Sequence, residues 1–74
     1  MNLELTRELL VAAEQQPQGQ LRVTGYEATR EVELLVDAGY VEASVVPAAK
    51  SPTAVIERVT EAGRKLLNVL RTSG

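Results

Sequence analysis

Three glutamates are the side chains whose type and spacing come closest to catalytic chemistry in this sequence. Glu27, Glu31 and Glu33 lie close together, and neighbouring carboxylates can bind a divalent cation or act as an acid and a base. The same spacing is ordinary for the solvated face of a helix, and we favour that interpretation. Histidine and cysteine are absent, which excludes disulfides and any zinc site built from imidazole or thiolate groups. We therefore predict no enzymatic activity, no metal and no cofactor.

A second group of side chains could contact DNA. Thr29 and Arg30 lie in a predicted helix, whereas Lys50, Ser51 and Thr53 lie in a predicted β-hairpin. Hydroxyl and cationic groups are common donors to phosphate oxygens and base edges. These five residues are the predicted contacts if the protein binds DNA.

The length and charge of the chain limit what can position these side chains. With 74 residues, the chain forms one domain, residues 1–74, with a small core that a homodimer would help to stabilise. The net charge of −2 is unevenly distributed, because residues 1–37 hold three basic and seven acidic side chains, whereas residues 38–74 hold five basic and three acidic ones.

No apolar run reaches the roughly 18 residues that span a bilayer, and the first residues are unlike a signal peptide. We therefore predict a cytoplasmic protein.

Apolar periodicity predicts three helices: residues 3–16, a second helix that ends near Ala38, and a third that begins after Thr60, a good N-cap. Thr24 and Glu27 fit a capping box for the second helix, and Gly39 fits its left-handed C-terminal cap. The side chains predicted to face the core are Leu3, Thr6, Leu9, Leu10 and Ala13 in the first helix, Ala28, Val32, Leu35 and Val36 in the second, and Ala62, Leu66, Leu67, Val69 and Leu70 in the third.

Three segments are predicted to be strands: residues 21–23, 40–46 and 54–59. The last two can pair as a hairpin whose tip holds Pro47 and Pro52. The alternation in the third strand is too impure to fix which of its faces points inward.

Two segments resemble motifs of winged-helix proteins. Residues 32–42, VELLVDAGYVE, are similar to a recognition helix that runs into the wing, and residues 59–67, VTEAGRKLL, to the segment that closes the wing and opens the final helix. With Gly25 and Tyr26, they resemble a family of small, functionally unassigned winged-helix proteins of phages and prophages. The resemblance covers residues 21–70. It implies an α+β, winged-helix-like fold: helix, strand, helix, β-hairpin wing, helix.

The chain departs from the winged-helix pattern at two points. A winged helix has two helices between its first strand and its wing, whereas residues 24–38 have room for one full helix with at most a stub before it, so the helix-turn-helix is predicted to be shortened. Glu31 stands where the phage family tends to carry histidine. The resemblance concerns the fold, and a fold does not determine a function.

We favour a protein partner as the ligand of this domain. The predicted partner-binding residues are Glu27, Arg30, Glu31, Glu33, Leu34 and Asp37. Leu34 either packs on a neighbouring helix or, if exposed, forms an apolar anchor within an acidic rim. An acidic surface is steered towards a basic one. With the resemblance to phage proteins, this predicts an inhibitor of a host nucleic-acid-binding complex, comparable to anti-CRISPR proteins, in the host cytoplasm.

The alternative is a DNA-binding transcriptional regulator of the winged-helix type that acts as a dimer. Neutralisation of phosphates supplies much of the affinity for DNA, so a basic footprint is expected. The predicted recognition helix has the opposite charge, since Arg30 is its one cation among four carboxylates. This charge and the shortened helix-turn-helix both favour the protein partner.

Overall fold

The computed structural model describes residues 2–16, 20–47 and 50–72. Its helices and strands follow the predicted order, and the α+β class is confirmed. The elements are α1 (Leu3–Glu14), β1 (Leu21–Thr24), α2 (Tyr26–Asp37), β2 (Val41–Val46), β3 (Thr53–Val59) and α3 (Glu61–Thr72).

The three strands form one antiparallel sheet in the order β1-β3-β2. Ala43 of β2 pairs with Ile56, but the preceding Glu42 pairs with Arg58, so Glu57 is an extra residue on β3. Such a bulge shifts the alternation of the strand by one position. Ala54 and Ile56 are therefore buried before the bulge and Val59 after it. The bulge explains why the inward face of β3 could not be predicted from alternation.

The core lies between one face of the sheet and the three helices. Its buried apolar side chains are Leu9, Leu10, Ala13, Val32, Leu35, Val41, Ala54, Ile56, Val59 and Leu67. Burial of this apolar surface is the main favourable term in folding.

Some predicted core positions in the helices are wrong. Leu3 and Val69 are 56% and 58% exposed, and Val36 and Ala62 are also exposed. In α3 the inward face is centred on Gly63, which approaches the carbonyl group of Tyr40. That contact turns Ala62 and Val69 outward.

Local backbone signals decide where the helices begin and end. The predicted capping box of Thr24 and Glu27 is wrong, because the N-cap of α2 is Gly25 at φ 100° and no side chain caps it. Thr24 instead pairs with Thr53 in the sheet. Two signals are confirmed: Gly39 has the left-handed φ of 82°, and the N–H of Gly63 donates to Thr60 Oγ1 over 3.1 Å.

The helices of the described residues are short. None of them combines the length and the apolar composition that crossing a bilayer requires.

Candidate interaction groove

A groove separates the first half of α2 from the end of β2. Its cavity has a volume of about 470 Å³ and is lined by Tyr26, Thr29, Arg30, Glu33, Val45, Pro47 and Pro52. We call it the α2–β2 groove. The tyrosine ring, the valine and the two prolines make its walls largely apolar, whereas an arginine and a glutamate supply charge. An apolar surface with a few charged groups is typical of binding sites.

Hydrogen bonds to one carbonyl group hold the two sides of the groove together. The carbonyl oxygen of Pro52 accepts from the backbone N–H of Gly25 over 3.0 Å and from the Thr29 hydroxyl over 3.3 Å. Thr29 is buried. These two hydrogen bonds attach the N-terminus of α2 to the residue just before β3, on the opposite side of the groove.

The exposed face of α2 continues the groove along the helix. Tyr26, Arg30, Glu33 and Asp37 are all exposed, and their spacing places them on one side of the helix. Glu27 is exposed on the flank of this face, so three carboxylates and one guanidinium give it a net charge of −2. Within the described residues, neither Arg30 nor Glu33 makes an ion pair. These charges are available to a partner.

Leu34 lies beside this exposed face and is half-buried. Both outcomes that the sequence left open are therefore realised in part, because the side chain packs against the domain and still presents apolar surface. It is a smaller anchor than a fully exposed leucine would be.

Glu31 does not belong to the exposed face, although we predicted it as a partner-binding residue. It is only 4% exposed, and its Oε1 accepts from the backbone N–H of Asn2 over 2.8 Å. The carboxylate thus lies at the N-terminus of α1, where the helix dipole favours negative charge. The sequence held a signal for this, since Glu31 precedes buried Leu35 by one helical turn.

The burial of Glu31 also separates the three glutamates, Glu27, Glu31 and Glu33, whose spacing is compatible with a metal site or an acid–base pair. Glu33 stays on the exposed face and Glu27 on its flank. In the part of the chain that the structure describes, no group of three or more acidic side chains could hold a metal ion.

The predicted DNA contacts do not all lie on the surface. Thr29 is buried and bonded to Pro52, so that prediction is wrong. Thr53 is half-buried in the sheet, and Lys50 and Ser51 are exposed where the hairpin returns to β3. Arg30 is the one cation of this set that lines the groove.

Sequence reasoning missed four residues of the groove: Tyr26, Val45, Pro47 and Pro52. Two signals could have indicated them. Tyr26 is one of only two aromatic residues in the sequence, and the two prolines bracket the hairpin loop. Neither signal indicates that the hairpin folds against the start of α2.

A second cavity, of about 310 Å³, lies between α1, β3 and α3 and includes Arg58 and Glu14. Two of its three charged side chains are paired, since Arg58 contacts Glu42 over 2.8 Å and Arg71 contacts Glu14 over 3.8 Å; the third, Arg64, makes no ion pair within the described residues. The hydrogen bond from Arg58, and then its charge, lower the pKa of Glu42. Because most of these charges are already paired and the α2–β2 groove is the more apolar of the two, we take the α2–β2 groove as the candidate interaction site.

Comparison of the chain with protein-family models, with curated proteins and with solved structures found no match. The resemblance to phage winged-helix proteins therefore stays a prediction. Any functional conclusion must come from the groove and from the charges beside it.

Proposed function

We propose that this chain is a small, non-enzymatic interaction module that binds a protein partner through the α2–β2 groove and the exposed face of α2. One observation carries the proposal: an apolar cavity adjoins a helix face with three carboxylates and one guanidinium. Protein interfaces commonly combine an apolar centre with a polar rim. The groove supplies the centre, and Glu27, Glu33 and Asp37 supply the rim.

The proposed fold type is a winged helix with a shortened helix-turn-helix. The element order and the strand order β1-β3-β2 support this proposal. In it, α2 takes the position of the recognition helix, and the β2–β3 hairpin is the wing. A single glycine, Gly25, separates β1 from α2, which leaves no room for a first helix of the motif.

The proposed partner carries a basic surface. Complementary charge accelerates association and excludes partners of the wrong sign. Nucleic-acid-binding clefts are the most extensive basic surfaces in a cell. We therefore propose an inhibitor that occupies such a cleft on a host complex, as a phage-encoded anti-CRISPR protein would, in the host cytoplasm.

Binding to DNA as a dimeric regulator is the alternative, and the geometry supports it less. A recognition helix must approach phosphates, but the exposed charges of α2 sum to −2. Electrostatic repulsion would therefore oppose the contact that supplies most non-specific affinity. Exposed Lys50 adds one cation on the hairpin, which does not reverse the sign of the helix.

Two charge-reversal variants test the proposal in a quantitative pull-down from the producing cells. Glu33→Lys with Asp37→Lys should abolish capture of the partner. Glu57→Lys with Glu61→Lys makes the same change of charge on β3 and α3 and should leave capture intact. Equal capture by both variants would exclude the exposed face of α2 as the binding surface.

Fluorescence anisotropy of a labelled random-sequence DNA duplex tests the alternative. We expect no binding at low or at physiological salt. Salt-sensitive binding at roughly 10⁻⁴–10⁻⁶ M, the range of non-specific DNA binding, would contradict the proposal and favour the regulator.

A further inference from the structure

The edge of the sheet beside the groove is open. The strand order β1-β3-β2 leaves one side of β2 without a neighbouring strand among the described residues. An edge strand presents unpaired N–H and C=O groups, and proteins commonly protect such edges with charges or prolines. Glu42 of β2 is paired with Arg58 and Pro47 follows the strand, but residues 43–46 between them, with the sequence ASVV, contain neither a charge nor a proline. This part of β2 can therefore accept another strand.

The groove runs beneath this open edge. Val45 of β2 lines it, and Thr29 and Glu33 of α2 line it from the opposite side. Alternate side chains of an added strand would point to the same face as Val45, because side chains in a strand alternate between the two faces. An added strand would therefore insert every second side chain between β2 and α2.

We propose that the partner enters as an extended segment that pairs with β2 and places an apolar side chain and, two residues away, a lysine or arginine in the groove. This inference rests on the proposed function and specifies the form of the partner. The apolar side chain would contact Tyr26, Val45 and Pro47. Arg30 also lines the groove and would repel a basic side chain, so that side chain would lie beyond it, at the Glu33 and Asp37 end of the exposed face.

When a segment binds by strand addition, its affinity and its specificity come from different contacts. In strand addition the main-chain hydrogen bonds supply affinity, and pockets for alternate side chains select the sequence. The cavity of about 470 Å³ offers a pocket for the apolar side chain. Glu33, which makes no ion pair within the described part of the chain, offers a charge for the basic one.

A second copy of this chain would fit the same edge less well. Its β2 strand has no basic residue, so a pair of β2 strands would leave Glu33 and Asp37 without counter-charges. It would also bring two acidic helix faces towards each other, which is unfavourable. Charge complementarity therefore favours a segment of another protein.

Selection of random linear peptides, displayed on phage, against the immobilised full chain tests the inference. We expect the enriched peptides to share an apolar residue separated by one position from lysine or arginine. A synthetic enriched peptide should then slow amide hydrogen exchange at alternate residues of β2 but not of β1. Absence of enrichment, or an enriched peptide that leaves β2 exchange unchanged, would overturn the inference.

Matched variants identify the charged contact. Glu33→Lys should weaken binding of the synthetic peptide by about tenfold, because it replaces an attraction with a repulsion. Glu8→Lys, on the exposed side of α1, makes the same change of charge away from β2 and should stay within about twofold of the unchanged chain. Equal losses in both variants would overturn the assignment of Glu33.

Two further outcomes separate this inference from the proposed function. If the Glu33 and Asp37 variant loses its cellular partner but that partner leaves β2 amides unprotected, strand pairing is wrong and the proposed function stands. If sedimentation shows a dimer whose β2 amides are already protected without peptide, a second copy occupies the edge and the inference is wrong.

Discussion

The carboxylate of Glu31 accepts a 2.8 Å hydrogen bond from the backbone N–H of Asn2, so α2 caps the first turn of α1. The side chain of Asn2 accepts from the N–H of Leu5 in the same turn. Two orphan donors of the helix start are thus satisfied, one by its own N-cap residue and one by a residue 29 positions away. A residue that looks like helix surface in the sequence therefore joins two helices.

We predict that Glu31→Ala lowers the free energy of unfolding by about 1–3 kcal/mol, because it removes a hydrogen bond between a charged group and the Asn2 N–H, although the other carboxylate oxygen is buried without a partner among the described residues. Urea denaturation monitored by circular dichroism measures the change. Glu33→Ala is the matched control on exposed surface and should stay within about 0.5 kcal/mol of the unchanged chain. Similar values for both variants would show that the contact to Asn2 contributes no stability.

Gly63→Ala should destabilise the protein, although alanine is normally the better helix former. A Cβ atom at this position would overlap the carbonyl oxygen of Tyr40 and lie 2.7 Å from Cγ1 of Val59. The cost of overpacking is typically about 1–3 kcal/mol, which outweighs the roughly 1 kcal/mol of helix propensity that alanine gains over glycine. Thermal unfolding should show a lower Tm. A higher Tm would mean that α3 can move away from Tyr40 without loss.

Truncation of a core leucine should destabilise the protein far more than truncation of an exposed apolar residue that shares its helical periodicity. Leu35 is fully buried and Leu67 nearly so, and truncation of either to alanine should cost about 2–5 kcal/mol through the cavity that it leaves. Val69→Ala should cost less than about 0.5 kcal/mol, because Val69 is exposed. Denaturant titration of the three variants compares them. A loss of stability in Val69→Ala equal to that in Leu67→Ala would contradict the orientation of α3, in which Leu67 faces the core and Val69 faces outward.

Helix ends could be predicted from the sequence where a single residue determines the backbone conformation. Gly39 was predicted to end α2, because its position needs a positive φ, and Thr60 was predicted to cap α3; both are confirmed. Glu31 and Val69 were assigned to the wrong faces, because their burial depends on where α1 and Tyr40 lie. Periodicity fixes the spacing of a face but not the angle at which the helix packs.

The groove could not be predicted from the sequence, because its walls come from separate parts of the chain. Tyr26 and Glu33 belong to α2, and Val45 and Pro52 belong to the hairpin. Their contact depends on the register of β3, which contains the bulge at Glu57. A bulge adds one residue without a clear sequence signal, so neither the register nor the groove followed from alternation.

The exposed ion pair of Glu42 and Arg58 should contribute to stability only above the acidic range. Arg58 lowers the pKa of Glu42 below its usual 4.5. A carboxyl group whose folded pKa is lowered stabilises the fold above its unfolded pKa, and that contribution is lost as the pH falls through the folded pKa. At neutral pH, Arg58→Gln should therefore unfold at a slightly lower denaturant concentration than the unchanged chain. Near pH 2, the two proteins should unfold at the same denaturant concentration.

An NMR titration of the Glu42 carboxyl group checks the cause. The pKa of Glu42 should return towards its usual value in Arg58→Gln and should also rise in the unchanged chain at high salt, which screens exposed charges. Lys65→Gln, which removes the partner of Glu61 on α3, should leave the pKa of Glu42 unchanged. A lowered pKa that persists in Arg58→Gln would assign the effect to another group.

Thr29→Val tests whether the hairpin must be fastened to α2 for the groove to bind. The variant keeps the volume of the side chain but removes the hydrogen bond to the Pro52 carbonyl, and we expect a loss of about 0.5–1.5 kcal/mol in the free energy of unfolding. Thr24→Val on the exposed face of β1 should change stability by less than about 0.5 kcal/mol.

Because the N–H of Gly25 still bonds to Pro52, the fold should persist while the groove loosens. Capture of the partner should therefore fall in Thr29→Val and stay unchanged in Thr24→Val; unchanged capture in both would mean that the hairpin does not take part in binding.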